Sequence, residues 1–261
     1  MRASTDLTLL KLGGSAITRK STDGAVRLRT ISQAAEAISR SSPDLIVVYG
    51  GGKRAHAHAV KYRLGEWPST RTQLLGLTHV KLILENLGAI IGRELEKSQV
   101  PNVHICPSSI LQTENGRIKW IGLSSIKHAR QRGLLPILHG DIVTDVQRGF
   151  SILSGDTLTC ELATRMKARK VLFGCDVDGI YSHKGNGFKG LQKEIGSNSL
   201  QSWIQKVRGR KDATGGMARK LLEAKKPLAH GIRVKIFNLT RKGYLHNLLS
   251  ERHVRCTELT P

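Results

Sequence analysis

Leu10-Lys11-Leu12-Gly13-Gly14-Ser15-Ala16-Ile17-Thr18-Arg19-Lys20 is the stretch around which the fold is predicted to form. An apolar run, residues 7–10, leads through Lys11 into a Gly-Gly-Ser turn, a pattern typical of a buried strand followed by a tight turn. Glycines lack Cβ atoms, so backbone N–H groups there can surround an anion. Lys11 and Lys20 bracket the turn with positive charge. A phosphate site is therefore one interpretation, and an ordinary tight turn is the other.

A second junction of the same kind follows residues 45–49, an apolar and β-branched run. This run leads directly into Gly50-Gly51-Gly52 and then into a segment that contains His56 and His58. Three successive glycines cost backbone entropy and need a structural reason. We favour an anion held close to the start of a helix, with a flexible loop as the alternative.

Predicted strands alternate with predicted helices along the chain, which favours an α/β fold with a mostly parallel sheet. Most of the Gly and Asp clusters follow strands, so candidate sites should gather at the carboxyl edge of the sheet. Residues 184–210, rich in Gly, Lys, Ser and Asn, are interpreted as a surface excursion. Helices are predicted at residues 26–40, 74–96, 126–132, 157–168, 212–229 and 241–249, and the main strands at 7–12, 45–49, 103–105, 134–139, 171–173 and 234–238.

The composition indicates a globular protein with a strong basic excess. The 261 residues include 39% hydrophobic residues and carry a formal net charge of +22. Nucleic-acid binding is disfavoured because the cations are spread along the whole chain and aromatic residues, which would stack on bases, make up only 4%. We expect a solvated basic surface and a small anionic substrate instead.

Other sequence features narrow the class of protein. The four cysteines, at positions 106, 160, 175 and 256, form no Cys-x-x-Cys pair, so no zinc site is predicted and reduced thiols are expected. No apolar run approaches the roughly 20 residues of a membrane span, and the N-terminus lacks the apolar core of a signal peptide. We therefore expect a cytoplasmic protein without a membrane anchor.

Four motifs, taken together, resemble the amino acid kinase superfamily and, within it, the isopentenyl phosphate kinases. They are the stretch from Lys11 to Lys20, the triple-glycine turn with His56, Ser154-Gly155-Asp156, and Thr214-Gly215-Gly216-Met217-Ala218-Arg219-Lys220; Gly174-x-Asp176-Val177-Asp178-Gly179-Ile180-Tyr181 supports them. The resemblance covers nearly the whole chain. It implies a three-layer αβα sandwich in one domain, with an acceptor-binding part at about residues 1–150 and a nucleotide-binding part at about 151–261. It also implies a homodimer.

The resemblance implies transfer of a phosphoryl group from ATP to isopentenyl phosphate in isoprenoid biosynthesis, with Mg²⁺ held mainly by ATP phosphates and water rather than by protein ligands. It carries the following roles onto this chain: Lys11, Lys20, His56 and Asp156 for catalysis; Lys11, Gly13, Gly14, Ser15, Gly52, Asp176, Tyr181, Gly216 and Lys220 for ATP binding; and Gly51, His56 and Gly155 for acceptor binding. Gly13, Gly14 and Ser15 are expected to supply backbone donors, Lys20 to act on the transition state, and Asp156 to orient lysines.

The sequence leaves several alternatives open. Lys53-Arg54-Ala55 stands where the family usually has Ser-Phe-Gly, so either His56 or His58 could contact the acceptor phosphate. Asp156 could also be the N-cap of a helix that begins at Thr157. Asp178 is expected to be structural. The prenyl tail is expected to lie against the helix at 74–91, with Leu75, Val80, Ile83 and Leu87 as candidates.

Other functions are compatible with the same pattern. A kinase of this fold could act on another small phosphate or phosphonate such as fosfomycin, or on a carboxylate or nucleotide. A non-catalytic protein that binds nucleotides or nucleic acid is a third possibility, which the combination of Lys11, Lys20, Asp156 and Lys220 disfavours because binding alone does not need all four.

Overall fold

A computed structural model describes residues 6–19, 24–65, 70–183, 189–208 and 216–261. Parallel strands with helices between them account for most of the chain. The strands are β1 (Thr8–Leu12), β2 (Leu45–Tyr49), β3 (Asn102–His104), β4 (Leu111–Glu114), β5 (Arg117–Ile121), β6 (Leu135–His139), β7 (Asp141–Asp145), β8 (Gly149–Leu153), β9 (Lys170–Cys175), β10 (Tyr181–His183), β11 (Lys189–Leu191), β12 (Glu194–Gly196), β13 (Arg233–Asn238) and β14 (Cys256–Thr260). The helices are α1 (Gly14–Ile17), α2 (Leu28–Ser41), α3 (Gly52–Lys61), α4 (Arg71–Lys97), α5 (Ser124–Gln131), α6 (Gly155–Arg165), α7 (Ser197–Arg208), α8 (Gly216–Leu228) and α9 (Tyr244–Leu249), with a 3₁₀ turn at Pro107–Ser109.

The central sheet has eight strands in the order β12-β14-β13-β9-β1-β2-β6-β3. Its neighbouring strands are parallel except for the antiparallel pair β13 and β14. Every residue of β1 and β2 is buried, as expected for parallel strands that are covered by helices on both faces. The predicted mostly parallel sheet is confirmed.

Two hydrophobic clusters cover the two faces of this sheet. Successive residues of β1 divide between them, because side chains alternate along a strand: Leu9 belongs to one cluster and Leu10 to the other. The first cluster includes buried residues of α5, α6, α7 and α8, and the second includes buried residues of α2, α4 and α9. This arrangement is the predicted three-layer αβα sandwich.

Some elements were not predicted correctly. A second sheet, in the order β5-β4-β7-β8, is not among the predicted main strands. The segment interpreted as a surface excursion contains α7, whose Leu200, Ile204 and Val207 are buried against the first cluster. Residues 184–188 and 209–215 lie outside the described residues, so the interpretation is not assessed there.

Helix α4 is long and apolar enough to cross a membrane by length and composition alone, and it is the one such helix in the described parts of the chain. It packs against α2, α3 and β3. Its residues Leu87, Ile91 and Leu95 are buried in the second cluster. A core helix of a soluble domain meets the same criteria, so this finding is weak evidence for a membrane span.

Two adjacent leucines of α8 provide a test of the packing. Leu221 is fully buried and Leu222 is 42% exposed. Leu221→Ala should lower the free energy of unfolding by about 2–5 kcal/mol, because it leaves a cavity in the core. Leu222→Ala should lower it by about 0.5 kcal/mol or less. Urea denaturation of both variants measures the difference, and equal effects would contradict this placement of α8.

Candidate active site

The two predicted glycine turns meet at the carboxyl edge of the central sheet. A Cβ atom at Gly14 would lie 2.6 Å from the backbone nitrogen of Gly52, so a larger residue at position 14 would push the turns apart. Gly52 has a φ of +68°, and a Cβ there would lie 2.3 Å from Thr18 Oγ1. Two turns that are far apart in the sequence therefore pack closely against each other.

Three charged side chains form a buried bridge beside these turns. Asp156 lies between two lysines, with its Oδ1 2.6 Å from Lys11 Nζ and its Oδ2 3.1 Å from Lys220 Nζ. The three side chains are only 8–11% exposed. Lys11 comes from β1, Asp156 from α6 and Lys220 from α8. This is the placement predicted for a carboxylate that orients two lysines.

The bridge offsets part of the cost of burying these three charges. Burial lowers the pKa of Lys11, and the adjacent Asp156 acts in the opposite direction. Burial alone would raise the pKa of Asp156, but the adjacent Lys11 and Lys220 outweigh it and lower the pKa to about 2. Burial alone would lower the pKa of Lys220, and the charge of Asp156 raises it instead. Three charges of which two are positive leave a net positive site, which suits an anionic ligand.

Helix α6 fixes the position of Asp156. Its N-cap is Ser154, whose Oγ accepts a hydrogen bond of 3.1 Å from the Thr157 backbone nitrogen. The alternative prediction that Asp156 is the N-cap is therefore wrong. Asp156 is the second residue of the helix, where a carboxylate also interacts favourably with the helix dipole.

The residues predicted to bind ATP mostly lie around this bridge. Ser15 Oγ donates a hydrogen bond of 2.9 Å to Asp176 Oδ1, which joins the first turn to the end of β9. Gly13 N–H donates to the Gly174 carbonyl at 2.8 Å, so its predicted use as a donor to phosphate is wrong. The N–H groups of Gly14 and Ser15 meet no acceptor within the described residues. Gly216 begins α8, the helix that carries Lys220.

Tyr181 interacts with a structural cluster rather than with the bridge. Its hydroxyl donates to Asp178 Oδ2 at 3.1 Å. Asp178 is buried and also accepts hydrogen bonds from Asn238 and Arg241. The expected structural role of Asp178 agrees with these contacts, and the predicted ATP contact of Tyr181 stays a prediction.

The residues predicted to bind the acceptor are Gly51, His56 and Gly155. Gly155 packs close to Lys11, since a Cβ there would lie 3.0 Å from Lys11 Cε. Gly51 packs in the same way against Ala55 and Leu84. Desolvation, followed by the positive charges of Lys11 and Arg219, lowers the pKa of His56, although the residue as a whole remains exposed. His56 is therefore electrostatically coupled to the bridge.

His58 has different neighbours. Its Nδ1 donates to the Arg54 carbonyl at 2.9 Å, and its ring stacks on that of His79 with centroids 5.1 Å apart. These contacts hold His58 against His79 of α4, and the choice between His56 and His58 as the phosphate ligand stays a prediction.

An apolar cluster borders the acceptor side. It consists of buried Ala55, Val80, Leu84 and Ile142, with partly buried Ile83 and Phe150 packed against it. Of the four predicted tail contacts, Val80 and Ile83 belong to this cluster. Leu75 is 63% exposed and Leu87 belongs to the core on the second face of the sheet, so those two predictions are wrong. Periodicity on α4 could not reveal Ile142 and Phe150, which come from β7 and β8.

Lys20, the predicted transition-state lysine, lies outside the described residues, as do Thr214 and Gly215. A large open groove of about 1210 Å³, lined by residues that include Thr8, Asp44 and Lys170, lies at the opposite edge of the sheet, where β1, β2 and β9 begin. We place the active site at the carboxyl edge despite this groove, because the glycine turns and the buried lysines are there.

The sequence matches the amino acid kinase family over residues 6–238. The chain belongs to the amino acid kinase family. The two glycine turns and the Lys11–Asp156–Lys220 bridge all lie within the matched region. The family assignment confirms the superfamily predicted from the four motifs.

This chain is similar to isopentenyl phosphate kinases over nearly its whole length. The enzyme of Methanothermobacter thermautotrophicus is 31% identical over 97% of this chain and 98% of its own length. The enzyme of Methanocaldococcus jannaschii is 29% identical over 93% of this chain and 95% of its own. An X-ray structure of isopentenyl phosphate kinase has a TM-score of 0.83 at 28% identity, covering 97% of this chain and 99% of that one.

The bridge predicts a specific dependence of stability on pH. The pKa of Asp156 is about 2 in the folded state and would rise to an ordinary value near 3.8 on unfolding. Folding is therefore favoured by about 2 kcal/mol at neutral pH through this group, and the contribution is lost as the pH falls through 4 toward 2. We expect the unfolding free energies of the wild type and Asp156→Asn to differ by a constant amount above about pH 5 and to converge below about pH 4.

Urea denaturation of both proteins between pH 7 and pH 3 measures this convergence. A difference that does not change with pH would contradict a depressed pKa at Asp156.

Proposed function

We propose that this protein is an ATP-dependent kinase that phosphorylates isopentenyl phosphate to isopentenyl diphosphate in isoprenoid biosynthesis. The observation that carries the proposal is the buried Lys11–Asp156–Lys220 bridge beside the glycine turns, in a chain similar over nearly its whole length to isopentenyl phosphate kinases. A histidine and an apolar cluster on the acceptor side suit a small phosphate monoester with an alkyl tail. No feature of this site specifically favours a carboxylate or nucleotide acceptor.

The donor side suits the polyphosphate of ATP. Lys11 and Lys220 supply two buried ammonium groups, and the N–H groups of Gly14 and Ser15 are available as donors to phosphate oxygens. We assign the binding of the nucleotide to Asp176, Tyr181 and Gly216, and contact with the transferred phosphate to Gly52. Mg²⁺ would neutralise part of the charge on the phosphates. Mg²⁺ prefers oxygen ligands, so phosphate oxygens and water suit this ion better than the described cluster of Cys106, His139 and Asp141, which contains a thiol.

The acceptor side suits a phosphate with a short apolar tail. His56, Gly51 and Gly155 would hold the phosphate, and an N–H group of the histidine would donate a charge-assisted hydrogen bond to the anionic phosphate. The tail would point toward Val80, Ile83, Leu84 and Ile142. An adjoining apolar cavity, which Leu77, Ile142 and Phe150 help to line, is only about 10 Å³, so the tail would need these side chains to move apart.

The transfer needs positioning and charge stabilisation more than covalent chemistry. An oxygen of the acceptor phosphate forms the new bond to the γ-phosphorus while the bond from phosphorus to the ADP oxygen breaks. The attacking oxygen is already anionic, so the reaction requires no general base. Lys11 and Lys220 would offset the repulsion between the two anions, Asp156 would hold both lysines apart, and Lys20 is assigned to the charge that develops in the transition state.

Other parts of the proposal rest on the family resemblance. The resemblance implies a single domain, in which about residues 1–150 bind the acceptor and about residues 151–261 bind the nucleotide. It also implies a homodimeric, cytoplasmic protein. No membrane or nucleic-acid partner is proposed. The high positive charge would be consistent with anionic substrates on both sides of the site.

A pair of histidine variants tests the acceptor side. His56→Asn should raise the KM for isopentenyl phosphate by about 10- to 100-fold, because it removes a charge-assisted hydrogen bond, and should change the KM for ATP by less than about threefold. His58→Asn is the matched control on the same helix and should change either KM by less than about twofold. Steady-state kinetics measure both. A selective rise in acceptor KM with His58→Asn alone would overturn the choice of His56.

An acceptor panel tests the function as a whole. Purified protein with ATP and Mg²⁺ would be offered isopentenyl phosphate, dimethylallyl phosphate, geranyl phosphate, fosfomycin, UMP and acetylglutamate, with ADP release and product formation followed separately. Efficient turnover of the short prenyl phosphates alone supports the proposal. Preference for fosfomycin or UMP would assign another acceptor, and nucleic-acid binding without any turnover would contradict an enzymatic role.

A further inference from the structure

A second cluster of chemically reactive side chains lies close to Gly155, and the proposed phosphoryl transfer assigns it no role. Cys106, His139 and Asp141 place their ligand atoms, one from each residue, within 4.8 Å of one another. Cys106 follows β3, His139 ends β6 and Asp141 begins β7, so three separate segments converge at one point. Asp141 and His139 are buried and Cys106 is half-buried.

We propose that Cys106, His139 and Asp141 bind a zinc ion, or a similar thiophilic divalent metal, at a site separate from the phosphoryl-transfer centre. A thiolate, an imidazole and a carboxylate are all typical zinc ligands, and three protein ligands leave a fourth position for water or another oxygen. Mg²⁺ is disfavoured because it prefers oxygen ligands.

The distances between these groups match a tetrahedral zinc site. With bonds of about 2.3 Å to sulfur and about 2.0 Å to oxygen, two ligands at a tetrahedral zinc lie about 3.5 Å apart. Cys106 Sγ and Asp141 Oδ2 are 3.6 Å apart. The oxygen of Ser108 lies 3.1 Å from the same sulfur and accepts a hydrogen bond of 2.8 Å from Lys81, so it becomes a candidate for the fourth position once Lys81 moves away.

Hydrogen bonds outside the cluster orient its ligand atoms. His139 Nδ1 donates to the Gly140 carbonyl at 2.9 Å, which leaves the lone pair of Nε2 available for a metal. Backbone N–H groups of Ser108 and Ile142 donate to the two oxygens of Asp141 at 3.0 and 2.8 Å. Support of this kind for a ligating histidine and carboxylate is common at metal sites.

Among the contacts described for Asp141, Lys81 is the one cation whose charge opposes the binding of a metal ion. Its Nζ lies 3.0 Å from Asp141 Oδ1 and 3.2 Å from Oδ2. The side chain is 25% exposed, so it can move toward solvent. A Cys106 thiolate and the Asp141 carboxylate would balance the two charges of zinc, and the thiol proton would leave to solvent.

The site would stiffen the acceptor side without touching the reacting atoms. His139 and Asp141 flank Gly140, where a Cβ would lie only 2.6 Å from the backbone nitrogen of Gly155. The ring of His139 also lies 5.3 Å from that of Tyr49, which immediately precedes the triple-glycine turn. Bound zinc would therefore fix the backbone behind both predicted acceptor turns.

Metal titration of the full chain tests the proposal. Chelator-treated protein would be titrated with Co²⁺, whose bond to a thiolate gives an intense near-ultraviolet absorption band, and the cobalt would then be displaced by Zn²⁺. We expect about one cobalt per chain with this band. Cys106→Ser should weaken binding by more than about 100-fold and abolish the band. Cys256→Ser, which removes a half-buried thiol outside the cluster, should leave both unchanged.

A charge variant and a stability measurement complete the test. Lys81→Met should bind zinc about tenfold or more tightly, because it removes the opposing cation. At free zinc about 100-fold above its dissociation constant, the melting temperature of the wild type should rise by about 5 °C or more, with no rise for Cys106→Ser. Binding that survives in Cys106→Ser, weaker binding in Lys81→Met, or an equal response to Mg²⁺ would overturn the proposal.

Discussion

One buried carboxylate between two buried lysines is the interaction on which the rest of the site depends. Two ammonium groups so close together in a low-dielectric interior would repel each other and tend to lose their charge, and the carboxylate of Asp156 opposes both effects. The three residues come from β1, α6 and α8, so the bridge also ties the start of the chain to its C-terminal part. Packing on both faces of the sheet holds these elements rigidly enough to keep the charges in place.

The glycine turns follow from the same constraint. A site with two buried cations must bring anions close to them, and side chains on the turns would block that approach. A Cβ atom at Gly14 would clash with the backbone of Gly52, and one at Gly52 would clash with the side chain of Thr18, so neither position has room for it. The surface that results is lined by N–H groups and lysines, whereas the acceptor side adds His56 and an apolar cluster. This division suits one polar and one partly apolar substrate.

Much of the fold and of the site could be predicted from local sequence. Strand β1 and its turn, the triple glycine and Asp156 are each signalled by neighbouring residues. The missed parts depend on contacts between distant segments or on weak local signals. Helix α7 was obscured by the Gly- and Ser-rich composition around it, although Leu200, Ile204 and Val207 have helical spacing. The Cys106–His139–Asp141 cluster has no local spacing motif because each residue belongs to a different segment.

The turnover number of Asp156→Asn with ATP and isopentenyl phosphate tests the central claim most directly. If Asp156 holds both lysines in their catalytic positions, kcat should fall by about 100- to 1,000-fold, while circular dichroism at neutral pH still shows a folded protein. A folded variant whose kcat lies within about threefold of the wild type would contradict the account, because the lysines would then not need the bridge.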